Sequence, residues 1–286
     1  MSVCNGVIIF KAPALALSVI ARSLLVVVGA LTLSGCASLL FYPMKKIVAT
    51  PADHGVAYQD VYIAQGDIRL HGWWLPAASE ARGTVYFLHG NAENISTHMH
   101  SVLWLPEKGY DVFLLDYRGY GQSGGEPELA GVIDDVRKGY QWLRDRQVTA
   151  PLIVLGQSLG GGVAGFAMAT QADKPDAMVL DAAVASYPRI AGEVARRNWV
   201  TWPFAPLAPL LMPKGFDLID VVGQLAGVPQ LYLHSPDDSV VPIGHSHSLY
   251  AKAASPKQLR ETAGPHIATF AFAAQRQALL DFIASL

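Results

Sequence analysis

Cysteine is scarce in this chain, whose 286 residues contain only Cys4 and Cys36. Two cysteines cannot form a disulfide framework or a cysteine-rich metal site. Charged residues are also few, at 15% against the roughly 25% that is usual, and this excludes a disordered chain, which is polar and rich in charge. A basic excess is missing too, since 21 Lys and Arg face 23 Asp and Glu. Nucleic acid is therefore not an expected partner.

Hydrophobic residues are abundant, at 51% of the chain, and one concentration of them lies near the N-terminus. Arg22 precedes an uncharged run over residues 23–33, and Leu33-Ser34-Gly35-Cys36 follows. The run is shorter than the ~20 residues that span a bilayer. A positive residue, a short apolar run and small residues before a cleavage point are the parts of a secretory signal.

The four residues that end at Cys36 resemble a bacterial lipobox. This resemblance implies that residues 1–35 are removed as a signal peptide and that Cys36 is diacylated on its sulfur. Residues 36–57 are then a lipidated N-terminus and tether. Because Ala37 is not the Asp of inner-membrane retention, the expected location is the cell envelope, at the outer membrane facing the periplasm. The alternative is an N-terminal membrane anchor in which Cys36 is incidental.

Beyond residue 57, short apolar runs alternate with helical patterns. Residues 58–63 and 68–75 predict a β-hairpin. Further strands are predicted over residues 84–88, 111–115, 152–155, 177–180, 229–233 and 258–262, and helices over residues 95–108, 129–146, 159–171, 243–253 and 268–284. Continuous apolar strands separated by helices indicate an α/β fold with a buried, mostly parallel eight-stranded sheet and right-handed crossovers. We expect one domain over residues 58–286.

One irregular insertion interrupts this alternation, over residues 182–226. Pro203, Pro206, Pro209 and Pro213 interrupt its large apolar residues, namely Trp199, Trp202, Phe204, Leu207, Leu210, Leu211 and Met212. Two interpretations stay open. The insertion is a short apolar cap over an acyl-binding pocket, or its apolar residues cover the core.

The strongest chemical motif is Gly156-Gln157-Ser158-Leu159-Gly160. It follows a predicted strand and opens a predicted helix, which is the context of a nucleophile elbow. Side chains at the two glycine positions would collide with the adjacent strand and helix. The motif therefore predicts that Ser158 is a nucleophile rather than part of a simple glycine-rich junction.

A nucleophilic serine needs a histidine base and an acid that orients it, and after such an elbow the acid precedes the histidine in the chain. His266 follows the last predicted strand in Gly264-Pro265-His266, where it can reach the elbow. Asp237 and Asp238 compete for the role of the acid. We favour Asp238 because the loop resembles the pattern H-G-x-x-D-x-x-V-P. Asp181 ranks third.

Stabilisation of an oxyanion needs two backbone N–H groups. One is expected from Leu159, which follows the nucleophile, and the other from Asn91 in the turn after the strand over residues 84–88. His245 and His247 form an H-x-H pattern that could bind a metal, but we interpret them, like His98 and His100, as a solvated helix end. No metal and no cofactor are expected.

Five segments together resemble the serine aminopeptidase-like group of α/β hydrolases. They are HGNAENIS (89–96), DYRGYGQSGGEP (116–127), GQSLGG (156–161), LHSPDDSVVP (233–242) and GPH (264–266). The resemblance implies the α/β-hydrolase fold and two-step acyl transfer by Ser158, His266 and Asp238. It also implies structural roles for Asp116 and Arg118. Glu93 departs from the pattern, since relatives often carry Gly at this position.

The expected substrate is a carboxylic ester, or a thioester, of a medium or long acyl chain, met at the membrane that holds Cys36. A serine peptidase or amidase acting on small peptides is one alternative. A non-catalytic envelope lipoprotein with a hydrolase scaffold is another. A catalytic thiol is excluded, because cleavage removes Cys4 and lipidation consumes Cys36.

Overall fold

The computed structural model describes residues 40–197 and 199–286. The predicted signal peptide and Cys36 lie outside the described residues. Within the described part, no helix is both long enough and apolar enough to cross a membrane.

The strands follow the predicted runs closely. In chain order they are β1 (Tyr42–Pro43), β2 (Gln59–Gln65), β3 (Ile68–Leu75), β4 (Thr84–Leu88), β5 (Ala92–Glu93), β6 (Asp111–Asp116), β7 (Leu152–Gln157), β8 (Ala177–Asp181), β9 (Gln230–His234) and β10 (Lys257–Glu261). Eight of them form one sheet in the order β10-β9-β8-β7-β4-β6-β3-β2. Strand β3 runs opposite to the other seven strands of this sheet. The prediction of a mostly parallel eight-stranded sheet is confirmed.

The helices cover both faces of this sheet. They are α1 (Ile95–His98), α2 (Leu129–Asp145), α3 (Leu159–Thr170), α4 (Tyr187–Arg197), α5 (Leu218–Val221), α6 (Gly244–Lys252) and α7 (Ala273–Ala284). Short 3₁₀ turns lie between several of them, among them Trp202–Phe204 and Ala208–Leu211.

The central strands are buried on both faces, which is why they are apolar without interruption. In β4, Tyr86 and Leu88 pack into a core with residues of α2 and α3. Val85 and Phe87 point to the opposite face and pack into a second core with residues of α1 and α7. All four are fully buried.

The predicted helix over residues 95–108 is wrong as a continuous element. Helix α1 ends at His98 and is followed by two 3₁₀ turns, Met99–Ser101 and Pro106–Lys108. Met99, Val102 and Leu105 are buried in this irregular stretch and pack into the second core. Pro106 lacks the N–H that would continue the helix.

The described part of the segment predicted as a tether, residues 40–57, lies on the domain. Leu40 and Phe41 are buried in the core. Strand β1 pairs in parallel with β5, which places Tyr42 beside Ala92. This contact brings the start of the described chain to the carboxyl edge of the sheet, where β4 ends.

The insertion over residues 182–226 leaves the carboxyl end of β8 and returns to β9. It contains α4, which its sequence did not reveal because of the many prolines that follow. Gly192 of α4 lies against Pro209, with 3.3 Å between an ideal Cβ at Gly192 and the proline Cγ. Of the seven large apolar residues named in the sequence analysis, Met212 is buried, and the others are exposed: Trp199, Trp202, Phe204, Leu207, Leu210 and Leu211. The interpretation that they cover the core holds for Met212 and fails for the six others.

Candidate active site

Ser158 occupies a sharp turn between β7 and α3. Its backbone has φ 55° and ψ −119°, a region in which a residue with a side chain is strained. A Cβ on Gly156 would lie 2.5 Å from the carbonyl oxygen of Gly160, and a Cβ on Gly160 would lie 2.7 Å from the carbonyl carbon of Leu88. The two glycines are therefore required by close backbone approach to the helix and to the neighbouring strand.

Hydrogen bonds connect Ser158, His266 and Asp238 in a row. The Ser158 hydroxyl donates to His266 Nε2 at 2.9 Å, and His266 Nδ1 donates to Asp238 Oδ2 at 2.6 Å. Ser158 is only 7% exposed. The structure thus brings together the three residues predicted as nucleophile, base and acid, although 108 residues separate the first pair in the chain.

The carboxylate of Asp238 is held from both sides. Its Oδ1 accepts hydrogen bonds from the backbone N–H groups of Val240 and Val241 at 2.8 and 2.9 Å. His234 Nε2 lies 3.3 Å from Oδ2. Burial raises the pKa of Asp238, but the hydrogen bonds of His234, His266 and Val241 outweigh burial and hold this pKa well below its usual value. Asp238 is therefore an anion that can orient and stabilise an imidazolium.

The two competing carboxylates lie elsewhere. Asp237 is exposed on the same loop. Asp181 is fully buried at the end of β8, where it accepts hydrogen bonds from Gln157 Nε2 and Thr269 Oγ1, both at 2.7 Å. Thr269 follows His266 by three positions, so Asp181 ties the histidine loop to the elbow strand.

The turn after β4 lies against the nucleophile. Leu88 pairs with Gly156 across the sheet, and a Cβ on Gly90 would lie 3.7 Å from Ser158 Cβ. Of the two residues predicted as donors to an oxyanion, Asn91 follows Gly90 in this turn and Leu159 follows Ser158. Leu159 begins α3 directly after the elbow.

The N-terminal segment holds this turn in place, which sequence reasoning missed. The N–H of Tyr42 donates to Asn91 Oδ1 at 3.2 Å. The hydroxyl of Tyr120, from the segment that resembles DYRGYG, donates to the Asn91 carbonyl oxygen at 2.5 Å. Asn94 Nδ2 donates to the carbonyl oxygens of Met44 and Lys46 at 2.9 and 2.8 Å.

Glu93 has φ 69°, a left-handed conformation that favours glycine. This geometry explains why a glycine suits the position. Strand β5 keeps Glu93 in this conformation, because it pairs with Pro43 and its carbonyl oxygen accepts a hydrogen bond from the N–H of Met44 at 3.1 Å.

Asp116 and Arg118 lie in structural networks. Asp116 is fully buried and accepts a hydrogen bond from the N–H of Ile95 at 2.9 Å, with His89 Nε2 at 3.5 Å. Arg118 forms a two-pronged ion pair with Asp135, with N–O distances of 3.0 and 2.8 Å. Neither touches Ser158 or His266 in the contacts of the described residues.

The interpretation of four histidines as a solvated helix end is wrong for two of them. His245 is fully buried, where Nδ1 accepts from the N–H of Ala185 at 3.0 Å and Nε2 donates to Glu193 at 3.1 Å. His98 is buried beneath the turn after β4, and its Nε2 donates to the carbonyl oxygen of Ala92 at 2.9 Å. His247 is half exposed. Among the described residues, no group of three His, Cys, Asp or Glu could hold a metal ion.

Comparisons with known proteins show the family of the chain. A family model described as serine aminopeptidase, S33, matches residues 79–221. The protein YfhR of Escherichia coli (strain K12) is 32% identical over 256 residues, which cover 86% of each chain. The chain belongs to the serine aminopeptidase family of α/β hydrolases. The resemblance drawn from the five sequence segments is confirmed at the level of family and fold.

One further relative of this hydrolase, and one solved structure of similar fold, carry named activities. The lysophosphatidylserine lipase ABHD12 of Danio rerio is 30% identical over 206 residues, which cover 65% of this chain and 51% of the lipase. The Pyrococcus furiosus esterase Pf2001 superimposes with a TM-score of 0.72 at 22% identity, over 86% of this chain and 98% of the esterase. The match to the family model includes Ser158 but ends before Asp238 and His266.

The buried His98 makes the stability of the hydrolase depend on pH. Burial, and after it the nearby His89 imidazole, lowers the pKa of His98 from 6.5 to about 4. The unfolded chain therefore binds more protons than the folded one between pH 4 and 6.5, so stability falls as the pH drops through this window. We expect His98 to account for a loss of about 3 kcal/mol in the free energy of unfolding between pH 7 and pH 4.

A His98→Gln variant, which keeps an N–H donor for Ala92, tests this. The free energy of unfolding of wild type and variant is measured by urea unfolding between pH 7 and pH 4. The difference between the two proteins should change by about 3 kcal/mol over this range. A difference that stays constant with pH would rule out His98 as the source.

Proposed function

We propose that the protein is a serine hydrolase that cleaves carboxylic esters of acyl substrates through an acyl-enzyme on Ser158. The observation that carries the proposal is the continuous row of hydrogen bonds from Ser158 through His266 to Asp238. A serine hydroxyl at its normal pKa is a weak nucleophile, and a hydrogen-bonded base with an oriented imidazole is what activates it.

In the first step, Ser158 Oγ attacks the carbonyl carbon of the ester while its proton moves to His266 Nε2. The resulting imidazolium is stabilised by Asp238, to which His266 Nδ1 donates. The tetrahedral intermediate then collapses, and the alkoxide leaves as an alcohol with the proton from Nε2. Water repeats the sequence on the acyl-enzyme, with His266 as base, and releases the carboxylic acid and free Ser158.

The developing oxyanion is assigned to the N–H groups of Leu159 and Asn91. Such preorganised donors commonly supply several kcal/mol of transition-state stabilisation, about 3–4 for a single donor. The hydrogen bonds of Tyr42 and Tyr120 to Asn91 support this assignment, because they restrict the turn that carries the second donor.

Activity on acyl esters is tested with p-nitrophenyl esters of graded chain length beside a matched thioester and aminoacyl p-nitroanilides. We expect kcat/KM to rise about tenfold or more from acetate to octanoate, because each buried CH₂ contributes about 0.8 kcal/mol. Amide turnover should be far slower. A preference for the anilides would instead support a peptidase acting on small peptides, and the ester assignment would be withdrawn.

We further propose that Cys36 carries the lipid that holds the hydrolase at the outer membrane, facing the periplasm. The lipobox resemblance of residues 33–36 supports this. Metabolic labelling with an alkynyl palmitate should mark the wild type and a Cys4→Ser control, and the mark should vanish in Cys36→Ser. Equal labelling of all three proteins would reject the site.

A further inference from the structure

An apolar surface covers the outside of the insertion. Eight of the fourteen large hydrophobic side chains that are exposed in the described residues fall between positions 194 and 211. Trp199 is 87% exposed and Leu210 is 67% exposed. We call residues 194–197 and 199–214 the cap face; its main apolar members are Trp199, Trp202, Phe204, Leu207, Leu210 and Leu211. Apolar patches of this kind mark a surface that binds a partner or a membrane.

The charge of the cap face has one sign. Residues 194–216 contain Arg196, Arg197 and Lys214 but no Asp or Glu, although the whole chain has a net charge of −2. The acid that precedes this stretch, Glu193, is paired with Arg189 at 2.9 Å. The apolar side chains are therefore accompanied by a local positive charge that the rest of the molecule does not share.

The position of the cap face relates it to the active site and to the start of the described chain. The insertion leaves β8 beside the elbow, where the N–H of Val184 donates to the carbonyl oxygen of Ser158 at 3.1 Å. Arg197 donates to the carbonyl oxygen of Ser239, next to Asp238. Strands β1 and β5 pair at the same carboxyl edge, and Cys36 precedes Leu40 by four residues, which reach about 14 Å at most.

We infer that the cap face docks on an anionic lipid surface and holds the entrance of the active site against it. Trp and Phe favour the boundary between headgroups and acyl chains, and cations beside them are attracted to anionic headgroups. This contact is additional to any lipid on Cys36 and does not depend on turnover by Ser158.

A second copy of the chain is the rival occupant. A two-fold contact through this surface would bring Arg196, Arg197 and Lys214 of both copies to one interface, with no acidic residue of the cap face to oppose them. Like charges placed together in this way disfavour association. The observations therefore favour the lipid surface.

A fluorescent reporter on the cap face tests the docking. The background is the full chain with Cys4→Ser and Cys36→Ser. In this background, Leu210→Cys is labelled with an NBD fluorophore. The matched control is Tyr62→Cys on β2, whose side chain is 43% exposed. Both proteins are mixed with vesicles of phosphatidylethanolamine with 30% phosphatidylglycerol, or of phosphatidylcholine alone. Nitroxide-labelled lipids then report depth by quenching.

At position 210 we expect a blue shift and at least threefold stronger quenching on the phosphatidylglycerol vesicles than at position 62. With Arg196→Glu and Lys214→Glu added, the blue shift and the quenching at position 210 should fall to the values measured on vesicles of phosphatidylcholine alone. Equal quenching at the two positions would overturn the proposal. So would a blue shift without lipid that grows with protein concentration, which would identify a second copy. A Ser158→Ala background gives the same readings, so the result is separate from the proposed chemistry.

Discussion

We expect Ser158→Ala to lower the proposed ester turnover about a million-fold, the usual size of the loss when a serine nucleophile is removed from an intact site. The reason is that no other side chain can take the place of Oγ between His266 Nε2 and the substrate carbonyl. The measurement is the initial rate with the best p-nitrophenyl ester, beside covalent labelling by a fluorophosphonate.

The control for this variant is Ser101→Ala, which removes a serine hydroxyl from a 3₁₀ turn remote from the elbow in the chain. It should keep its labelling and its rate. Ser158→Ala should unfold with the same cooperativity as wild type, because alanine differs from serine only by the lost oxygen. Labelling that persists in Ser158→Ala would remove Ser158 from the mechanism. Wild-type protein that is folded yet unlabelled and inactive would support a scaffold without catalysis.

We expect Asp238→Asn to lower kcat about 10⁴-fold and Asp237→Asn to stay within about twofold of wild type. The first substitution replaces the anion that accepts from His266 Nδ1 at 2.6 Å. An amide can donate to Nδ1, which favours the tautomer with its proton on Nε2, and Nε2 then cannot accept the proton of Ser158. The second substitution changes an exposed carboxylate on the same loop.

Asp237→Asn is the matched control for Asp238→Asn, because each variant loses one negative charge and the two positions are adjacent. Steady-state rates across pH 5–9, with circular dichroism to verify folding, complete the measurement. Loss of activity in Asp237→Asn with retention in Asp238→Asn would reverse the assignment of the acid.

Much of the fold followed from short-range pattern. Continuous apolar runs such as residues 84–88 and 152–155 are long enough for a strand and too short for a helix, and glycines on both sides of Ser158 permit only a tight strand-to-helix turn. The order serine, acid, histidine along the chain also limited the candidate acids and bases to a few residues, among them Asp238 and His266. Family and fold are confirmed by the matches to known proteins.

Other features could not be predicted, because they depend on what lies opposite a residue in space. His98 and His245 both occur in polar stretches, yet each is buried and hydrogen-bonded to backbone, and the partner of His245 lies 60 positions away in the chain. The pattern of residues 95–108 fits a continuous helix, but the chain forms a short α-helix followed by two 3₁₀ turns. Residues 40–48 carry no strong strand signal, and their place at the turn after β4 results from hydrogen bonds to Asn91 and Asn94.

By itself, the sequence determined the layered α/β architecture, the elbow at Ser158 and the candidates for its partners, since local sterics and burial on both faces of a sheet act over a few neighbouring residues. The tertiary structure alone decided that Asp238 rather than Asp237 meets His266, that the N-terminal segment restrains Asn91, and that the tryptophans of the insertion face outward. These outcomes depend on distances between residues far apart in the chain, and those distances exist only after the cores on the two faces of the sheet have packed.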